Sequence, residues 1–321
     1  MGLNDKVTSA DMLAWGEKRV NLSSESAAEY RAQGNNLKER LENYIEEHPD
    51  FDLVKMLNSG SVAKGTALRT TSDMDVAVYV RRAAAPQSTP DLVGWLRDRL
   101  REAYDKVVPP DRITSDEACV RISFSGSGVD VECVPILYDD DPDDYGELIL
   151  RSGDRVRTSI RKHLEFVRKR KNARVKHFAQ FVRFLKYWRN NCAQQNGFAL
   201  GAFAVELLAA HVVDSGTDPS NYPQALQDFF AYAVRGGLSQ RVVFTDNYQT
   251  GKAIDDNMPV RIIDPVAPEN NVTKNVTTPQ RDKILEAAAD ALDDVTIART
   301  ATTKEAAITA WRGVFGPEFS I

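Results

Sequence analysis

The sequence predicts an α+β protein in which a small mixed sheet with flanking helices precedes a mostly helical half. Strand-like apolar runs lie between residues 74 and 137, whereas helical periodicity and aromatic residues dominate after residue 151. With 321 residues and 42% hydrophobic content, the chain can bury either one large core or the cores of two lobes. We therefore expect one part over residues 1–150 and a helical part over residues 151–321.

The first long element is a helix over residues 24–47. Its start is rich in serine, and the residues Leu37, Leu41, Tyr44 and Ile45 recur at helical spacing. One apolar face of this kind must be buried against another element. The sequence thus predicts a brace helix that packs on the sheet.

The next informative segment is an apolar strand from Met74 to Val80 with an acidic start. Side chains two residues apart share one face of a strand, so Asp73 and Asp75 point the same way. Two such close carboxylates repel each other unless a cation lies between them, and their hard oxygens suit Mg²⁺. Upstream, Gly60 permits close approach of the backbone to a phosphate, and Ser61 can donate hydrogen bonds to its oxygens.

Two elements separate this strand from a second acidic strand. Prolines at positions 86 and 90 indicate a loop before an amphipathic helix over residues 91–106. Residues 118–137 contain two alternating segments joined by Gly126, Ser127 and Gly128, which is typical of a hairpin. Residues 139–147 follow as an acidic loop, which we expect to be solvated and to mark the boundary between the two parts.

The second strand of that hairpin carries its own acidic pair. Asp130 and Glu132 are two residues apart and therefore share a face. Without the upstream motif, such a pair would be assigned to solvent.

The combined pattern resembles a known superfamily. Residues 60–75 hold a Gly-Ser pair, eleven intervening residues and an Asp-x-Asp motif, with Gly65-Thr66 and Ser72-Asp73 as further matching pairs. This pattern resembles the signature of polymerase-β-like nucleotidyltransferases, and particularly the branch of oligoadenylate synthetases, archaeal CCA-adding enzymes and cGAS-like CD-NTases. The resemblance implies a bilobed fold, with a catalytic lobe followed by an oligoadenylate-synthetase-like helical lobe.

The resemblance also implies a third carboxylate on a neighbouring strand. Relatives usually place an aspartate two residues before Val-Pro or Leu-Pro, and the residue aligned in this way by Val134-Pro135 is Glu132. Asp130 has the commoner side chain but lies two positions earlier. We expect Glu132 to join Asp73 and Asp75 in holding two Mg²⁺ ions, with Mn²⁺ as a substitute, and we keep Asp130 as the alternative.

The helical half extends the resemblance. Residues 181–192 and 201–208 resemble the spine of the oligoadenylate-synthetase C-terminal lobe, and the triphosphate-binding lysine of that family falls on Lys186. The family residue near the donor base falls on Phe203, which would stack on a nucleobase. Independently, the spacing of the aromatic residues in this segment predicts a helix whose aromatic stripe is mostly core: Phe178, Phe181, Leu185 and Trp188.

Two late motifs favour the bacterial CD-NTases within this branch. Residues 262–272 resemble their D-P-x-x-P-x-N-N-V segment, and residues 310–319 resemble their W-x-x-x-F-G-x-x-F ending. The resemblance implies metal-dependent joining of nucleoside triphosphates, ATP among them, into a cyclic di- or trinucleotide with release of pyrophosphate. In the family this product is a second messenger of antiphage (CBASS-type) defence, which implies an effector protein that responds to it and an RNA or protein activator.

Two other functions remain open at this point. One is linear 2′-5′ oligoadenylate synthesis or nucleotidyl transfer to an RNA end. The other is a non-catalytic RNA-binding or antitoxin-like module, which the intact Asp73 and Asp75 disfavour.

Composition narrows the location and the partners. A net charge of −5 argues against nonspecific coating of nucleic acid. No apolar run has the length of a membrane span, and the N-terminus is too polar for a signal peptide, so we expect no membrane partner. The three cysteines, Cys119, Cys133 and Cys192, lack metal-ligand spacing and suit a reducing cytoplasm.

Overall fold

The computed structural model describes residues 5–48, 52–71, 73–86, 88–116, 118–126, 128–149, 153–173, 177–236, 238–249 and 257–321. The motif residue Ser72 and the predicted turn residue Ser127 lie outside these ranges. The chain divides into two compact units, one of Leu22–Val167 and one of Met1–Asn21 with Arg168–Ile321. The functional division at residue 150 stays a prediction.

Strands lie only in the first of these units, among the described residues. The strands are β1 (Leu53–Asn58), β2 (Asp73–Arg81), β3 (Ile113–Ser115), β4 (Val120–Ser123), β5 (Asp130–Tyr138), β6 (Gly146–Ile149) and β7 (Arg155–Thr158). The α-helices are α1 (Ser9–Trp15), α2 (Ser24–Glu47), α3 (Gly60–Lys64), α4 (Thr89–Ala103), α5 (Ile160–Ala173), α6 (His177–Asn196), α7 (Ala202–Asp214), α8 (Tyr222–Gly236), α9 (Thr278–Thr300) and α10 (Lys304–Phe315). A π-helical turn, Gly16–Val20, follows α1.

The sheet is mixed, as the sequence predicts. Its main order is β1-β2-β5-β4-β3, and β6 pairs with the end of β5 and with β7. Only β2 and β5 run parallel among these pairs, and the other pairs are antiparallel. The N-terminal ends of β2 and β5 therefore meet at one edge of the sheet.

The two faces of the sheet have different surroundings. Alternate residues of β2, including Met74 and Val76, are fully buried in a core shared with α2 and α4. The opposite face of β2 carries Ala77 and Tyr79, which form a second buried cluster with residues of β5. Because strand residues alternate, Asp73 and Asp75 belong to this second face.

The predicted flanking elements are confirmed. The brace helix spans Ser24–Glu47, and Ser23 caps it by accepting a hydrogen bond from the backbone N–H of Ser26. Leu37 and Leu41 are buried against the sheet. The hairpin is also confirmed, since β4 pairs antiparallel with β5. The second helix begins and ends slightly earlier than predicted, at Thr89–Ala103.

The acidic segment 139–147 is a loop as predicted up to residue 145, but it is only partly solvated. Its last two residues begin β6, and Arg82 donates to Asp139 at 2.7 Å and to Glu147 at 2.8 Å. Lys55 forms an ion pair with Asp144, whose side chain is 10% exposed. Lys55 of β1 and Arg82, which directly follows β2, thus pair with acidic residues that the sequence alone would place in solvent.

The helical unit is built around the predicted aromatic stripe. The four stripe residues are all at most 1% exposed, namely Phe178, Phe181, Leu185 and Trp188. The C-terminal motif packs in the same unit. The ring centroids of Phe315 and Phe319 lie 5.0 and 4.8 Å from the ring centroid of Trp15. The motif at residues 310–319 therefore supplies core side chains.

The motif at residues 262–272 is a loop held by its own polar side chains. Asp264 accepts a hydrogen bond from the backbone N–H of Val266 at 2.8 Å. Asn271 accepts one from the backbone N–H of Ile262 at 3.1 Å and donates to the carbonyl of Val260 at 2.9 Å. Buried polar side chains thus add to the backbone hydrogen bonds of this loop, such as the one from the N–H of Val272 to the carbonyl of Ile262 at 2.9 Å.

Candidate active site

Four carboxylates lie at the edge where β2 and β5 begin. The parallel register places Asp73 opposite Asp130 and Asp75 opposite Glu132. Strand alternation places all four on one face of the sheet. Each of the four residues is half-buried. The two acidic pairs predicted from sequence are therefore neighbours in the fold.

The carboxylates affect one another electrostatically. Burial first, and then the negative charges of Asp73 and Glu132, raise the pKa of the Asp75 carboxyl from 3.8 to about 6. The positive charge of Lys64 acts in the opposite direction. A cation among these side chains would relieve the repulsion that keeps them from ionising together.

Gly60 is required by the position of Asp75. Its φ angle is +66°, and a Cβ atom at this position would lie only 1.6 Å from Oδ2 of Asp75. The backbone N–H of Ser59 donates to the Asp75 carbonyl at 2.8 Å, which fixes this approach. The Gly60 position can therefore carry no side chain while the Asp75 carboxylate stays where it is.

The Gly-Thr pair ends the short helix that carries Ser61. Gly65 caps α3 in the left-handed conformation with φ 71°. Thr66 is fully buried, and its backbone N–H donates to the Ser61 carbonyl at 2.9 Å. This turn positions half-buried Ser61 beside Gly60, and its contact with phosphate stays a prediction.

Glu132 has a basic partner that the sequence analysis missed. Arg121 of β4 lies opposite Glu132 in the antiparallel register, and its Nη2 donates to Oε1 of Glu132 at 2.5 Å. The guanidinium also lies 3.6 Å from Asp116. Strand alternation in the predicted hairpin places Arg121 and Glu132 on one face, a signal that could have identified the pair.

Tyr30 is a second residue that the sequence analysis missed. Its hydroxyl donates to the carbonyl of Thr71 at 2.7 Å, two positions before Asp73. Burial first, and then the charge of Asp73, raise the pKa of the Tyr30 hydroxyl. No motif in the sequence marks Tyr30, because it belongs to the distant brace helix.

The chemistry of the carboxylate set suits a divalent cation. Within the described residues, no three His, Cys, Asp or Glu side chains converge closely enough to hold an ion as they stand. The side chains of Asp73, Asp75 and Glu132 must therefore turn to share one. Their oxygens are hard ligands, and the pKa of Asp75 is raised by burial first and then by the neighbouring negative charges, whose repulsion a cation would relieve. The residues present thus fit Mg²⁺.

The other two predicted site residues belong to the helical unit. Nζ of Lys186 lies 3.2 Å from Oε2 of Glu206, and the two side chains are 7% and 1% exposed. Lys186 is therefore held in a buried ion pair with a residue that the sequence analysis missed. Phe203 is half-buried in the first turn of α7, and its role beside a nucleobase stays a prediction.

Comparison with known proteins extends these observations. No protein-family model matches the chain. A cyclic AMP-AMP-AMP synthase of Escherichia coli (strain MS 115-1) is 45% identical over 307 residues, covering 95% of each chain. The CBASS oligonucleotide cyclase CdnC of Escherichia coli (strain KTE188) is 28% identical over 323 residues, covering 98% of each.

Solved structures agree in fold. The structure of E. coli MS115-1 CdnC with ATP matches with a TM-score of 0.92 and 43% identity, covering 99% of this chain and 100% of that one. A complex of the same CdnC with HORMA-deltaN matches with a TM-score of 0.91 and 43% identity, covering 98% and 99%. Vibrio cholerae DncV, at 13% identity and a TM-score of 0.71 over 99% and 98% of the chains, supports the fold alone.

The mixed sheet, the Gly-Ser turn and the carboxylates at the start of two parallel strands define a polymerase-β-like nucleotidyltransferase. Its extensive identity with the cyclic AMP-AMP-AMP synthase then places the chain in the CD-NTase family. It is an enzyme that joins nucleoside triphosphates into a cyclic oligonucleotide for CBASS antiphage signalling. Such nucleotidyltransferases are generally metal-dependent. No helix in the described part of the chain is long and apolar enough to cross a membrane.

Proposed function

We propose that the enzyme makes cyclic AMP-AMP-AMP from ATP with release of pyrophosphate. The observation that best supports this proposal is the set of carboxylates around Asp75, in a chain that is 45% identical to a cyclic AMP-AMP-AMP synthase. A relative at 43% identity was solved with ATP, which supports ATP as the substrate.

Asp73, Asp75 and Glu132 would hold two Mg²⁺ ions, for which Mn²⁺ can substitute. When bound, such ions supply positive charge to the donor triphosphate and to the attacking and leaving oxygens. Gly60 leaves room for the Asp75 carboxylate, and Ser61 would donate hydrogen bonds to the phosphates. These residues together would hold the donor phosphorus in line with an acceptor ribose hydroxyl.

Glu132 is the third carboxylate in this proposal, and Asp130 is the alternative. Glu132 lies opposite Asp75 and contributes to the raised pKa of its carboxyl, which supports a shared ion. Asp130 lies opposite Asp73 and has the shorter side chain. Separate Glu132→Gln and Asp130→Asn variants distinguish the two by which one loses metal binding.

Lys186 and Phe203 would bind the donor nucleotide. To reach a triphosphate, the Lys186 ammonium would have to exchange its contact with Glu206 for phosphate oxygens, as a flexible point charge can. Phe203 would stack on the base. Ring closure then requires the linear intermediate to reposition so that its own hydroxyl attacks a second α-phosphate.

A HORMA-domain protein is the proposed partner of the enzyme. The support is the complex of HORMA-deltaN with a CdnC that is 43% identical to this chain. Co-purification of the two proteins, with product formation measured with and without the partner, tests this proposal. An effector protein that binds the product would complete the signalling system.

The experiment that tests the proposed reaction is incubation with each labelled nucleoside triphosphate singly and in combination. We expect ATP alone to suffice and the label to enter a product that resists phosphatase. A phosphatase-sensitive product would instead indicate linear 2′-5′ oligoadenylate synthesis, and label at the end of added RNA would indicate RNA-end transfer. Biological activity that survives Asp73→Ala would indicate a non-catalytic RNA-binding or antitoxin-like module.

A further inference from the structure

Arg121 is placed by the sheet to contact the acidic pair of β5. It lies on β4 directly opposite Glu132, and β4 ends two residues further on, where Ser123 lies opposite Asp130. Nη2 of Arg121 donates to Oε1 of Glu132 at 2.5 Å, and the opposite charges of the two groups strengthen this hydrogen bond. The contact engages one oxygen of the Glu132 carboxylate.

The contact between Arg121 and Glu132 contributes little to the stability of the fold. Nε of Arg121 is buried and has no hydrogen-bond partner among the described residues, which costs free energy. The side chains of Arg121 and Glu132 are 41% and 18% exposed, and ion pairs with this much solvent access contribute little to folding. Because the pair lies beside the other carboxylates, a role in the metal site would explain why the contact forms.

That purpose follows from the length of the Glu132 side chain. A glutamate has one more rotatable bond than an aspartate, so its carboxylate is less well fixed by the backbone. A metal-binding carboxylate must be held close to its productive geometry by its neighbours. A guanidinium on Oε1 fixes the group and leaves Oε2 for an ion shared with Asp75.

We propose that Arg121 is a positioning residue that holds the Glu132 carboxylate in place for metal binding. The inference rests on the proposed role of Glu132 as the third carboxylate. Arg121 itself contacts no substrate in this account and acts through Glu132.

The test measures Mn²⁺ binding to the enzyme without ATP, by the electron paramagnetic resonance signal of free Mn²⁺. We expect Arg121→Ala to weaken Mn²⁺ affinity about 10-fold, the lower end of losses caused by removing partners of metal ligands. Arg121→Lys should recover part of the loss, because it keeps the charge. The control is Arg155→Ala, which removes a 40% exposed arginine that forms an ion pair with Glu147 at 2.9 Å, and it should bind Mn²⁺ as wild type does.

A double-mutant cycle with Glu132→Gln separates this inference from the proposed function. If Arg121 acts through Glu132, Arg121→Ala should have no further effect on Mn²⁺ affinity in the Glu132→Gln background. Unchanged affinity in Glu132→Gln alone would refute the assignment of Glu132 as a ligand.

Loss of affinity in Glu132→Gln, together with wild-type or tighter affinity in Arg121→Ala, would overturn the positioning role alone. Tighter binding would mean that Arg121 masks the carboxylate. Thermal melting without metal checks that each variant is folded, and Arg121→Lys serves for the same comparison if Arg121→Ala is not.

Discussion

At the scale of single residues, Gly60 connects the sequence motif to the geometry of the site. The motif suggested that this glycine lets the backbone approach a phosphate. The structure adds a second reason, because the Asp75 carboxylate occupies the space that any Cβ would fill. Only the three-dimensional contact between α3 and β2 reveals that requirement.

Gly60→Ala should therefore abolish most of the activity. A methyl group would displace Asp75 Oδ2, and a misplacement of this size can cost about 100-fold in rate. Initial rates of pyrophosphate release measure the effect. Gly128→Ala is a matched control, since Gly128 has φ +68° but open space around its Cβ position. Both variants bear the strain of positive φ, about 1–2 kcal/mol, so equal losses of activity would contradict the steric account.

Asp75→Asn should make the metal-free protein more stable at neutral pH. The pKa of Asp75 is raised from 3.8 to about 6, so its contribution to stability is full below pH 4 and is lost as the pH rises through 6. At about 1.4 kcal/mol per pKa unit, ionisation costs up to roughly 3 kcal/mol above that range. Urea unfolding in the presence of a chelator should show a higher free energy of unfolding for Asp75→Asn than for wild type at pH 8, and a smaller increase at pH 5.

Asp143→Asn is the control for this prediction, because the Asp143 side chain is 69% exposed. It should gain no stability at pH 8. A gain for Asp75→Asn that is equal at both pH values would contradict the electrostatic explanation.

At the scale of elements, local sequence patterns predicted the strands and helices, but they did not predict which side chains pair with one another. Alternation identified β2, β5 and the faces of their acidic residues, and helical spacing identified the buried stripe of α6. The parallel register of Asp75 with Glu132 could not be predicted from local pattern, because α4, β3 and β4 separate β2 and β5 in sequence. The ion pairs Lys55–Asp144 and Lys186–Glu206 were missed because each joins two separate segments of the chain that no local pattern connects.

The loop at residues 262–272 depends on the buried side chain of Asn271. Asn271 is 5% exposed and makes hydrogen bonds with the backbone of both Val260 and Ile262. Thr273 Oγ1 lies 3.3 Å from the N–H of Ile262 and 3.0 Å from the carbonyl of Val260, so it remains a partner for both groups in Asn271→Ala. The buried backbone N–H of Thr273, which donates to Asn271 at 3.0 Å, loses its acceptor, so we expect a loss of about 1–3 kcal/mol in the free energy of unfolding.

Asn270→Ala is the matched comparison in chemical denaturation. Asn270 is half-buried, and its side chain donates to Asp264 at 3.1 Å. It should lose about 1 kcal/mol or less. Equal losses in the two variants would mean that burial of the Asn271 network does not hold the loop.

At the scale of the whole molecule, sequence patterns predicted the fold class and the family but not the extent of the compact units. Residues before 22 belong with the helical unit, where Trp15 lies among the aromatic side chains of α6 and the C-terminus. A short N-terminal segment carries no signal of such a distant partner. Family motifs succeeded because they record spacing across the chain, which local periodicity does not.

The mass of the product distinguishes cyclic AMP-AMP-AMP synthesis from the synthesis of a linear oligonucleotide. Purified enzyme, with its HORMA-domain partner and Mg²⁺ present, should convert ATP into pyrophosphate and a phosphatase-resistant compound with the mass of cyclic AMP-AMP-AMP. The Asp73→Asn variant should form none under the same conditions. A product with a 5′ triphosphate that phosphatase removes, or an equal yield of the cyclic product from the variant, would contradict this function.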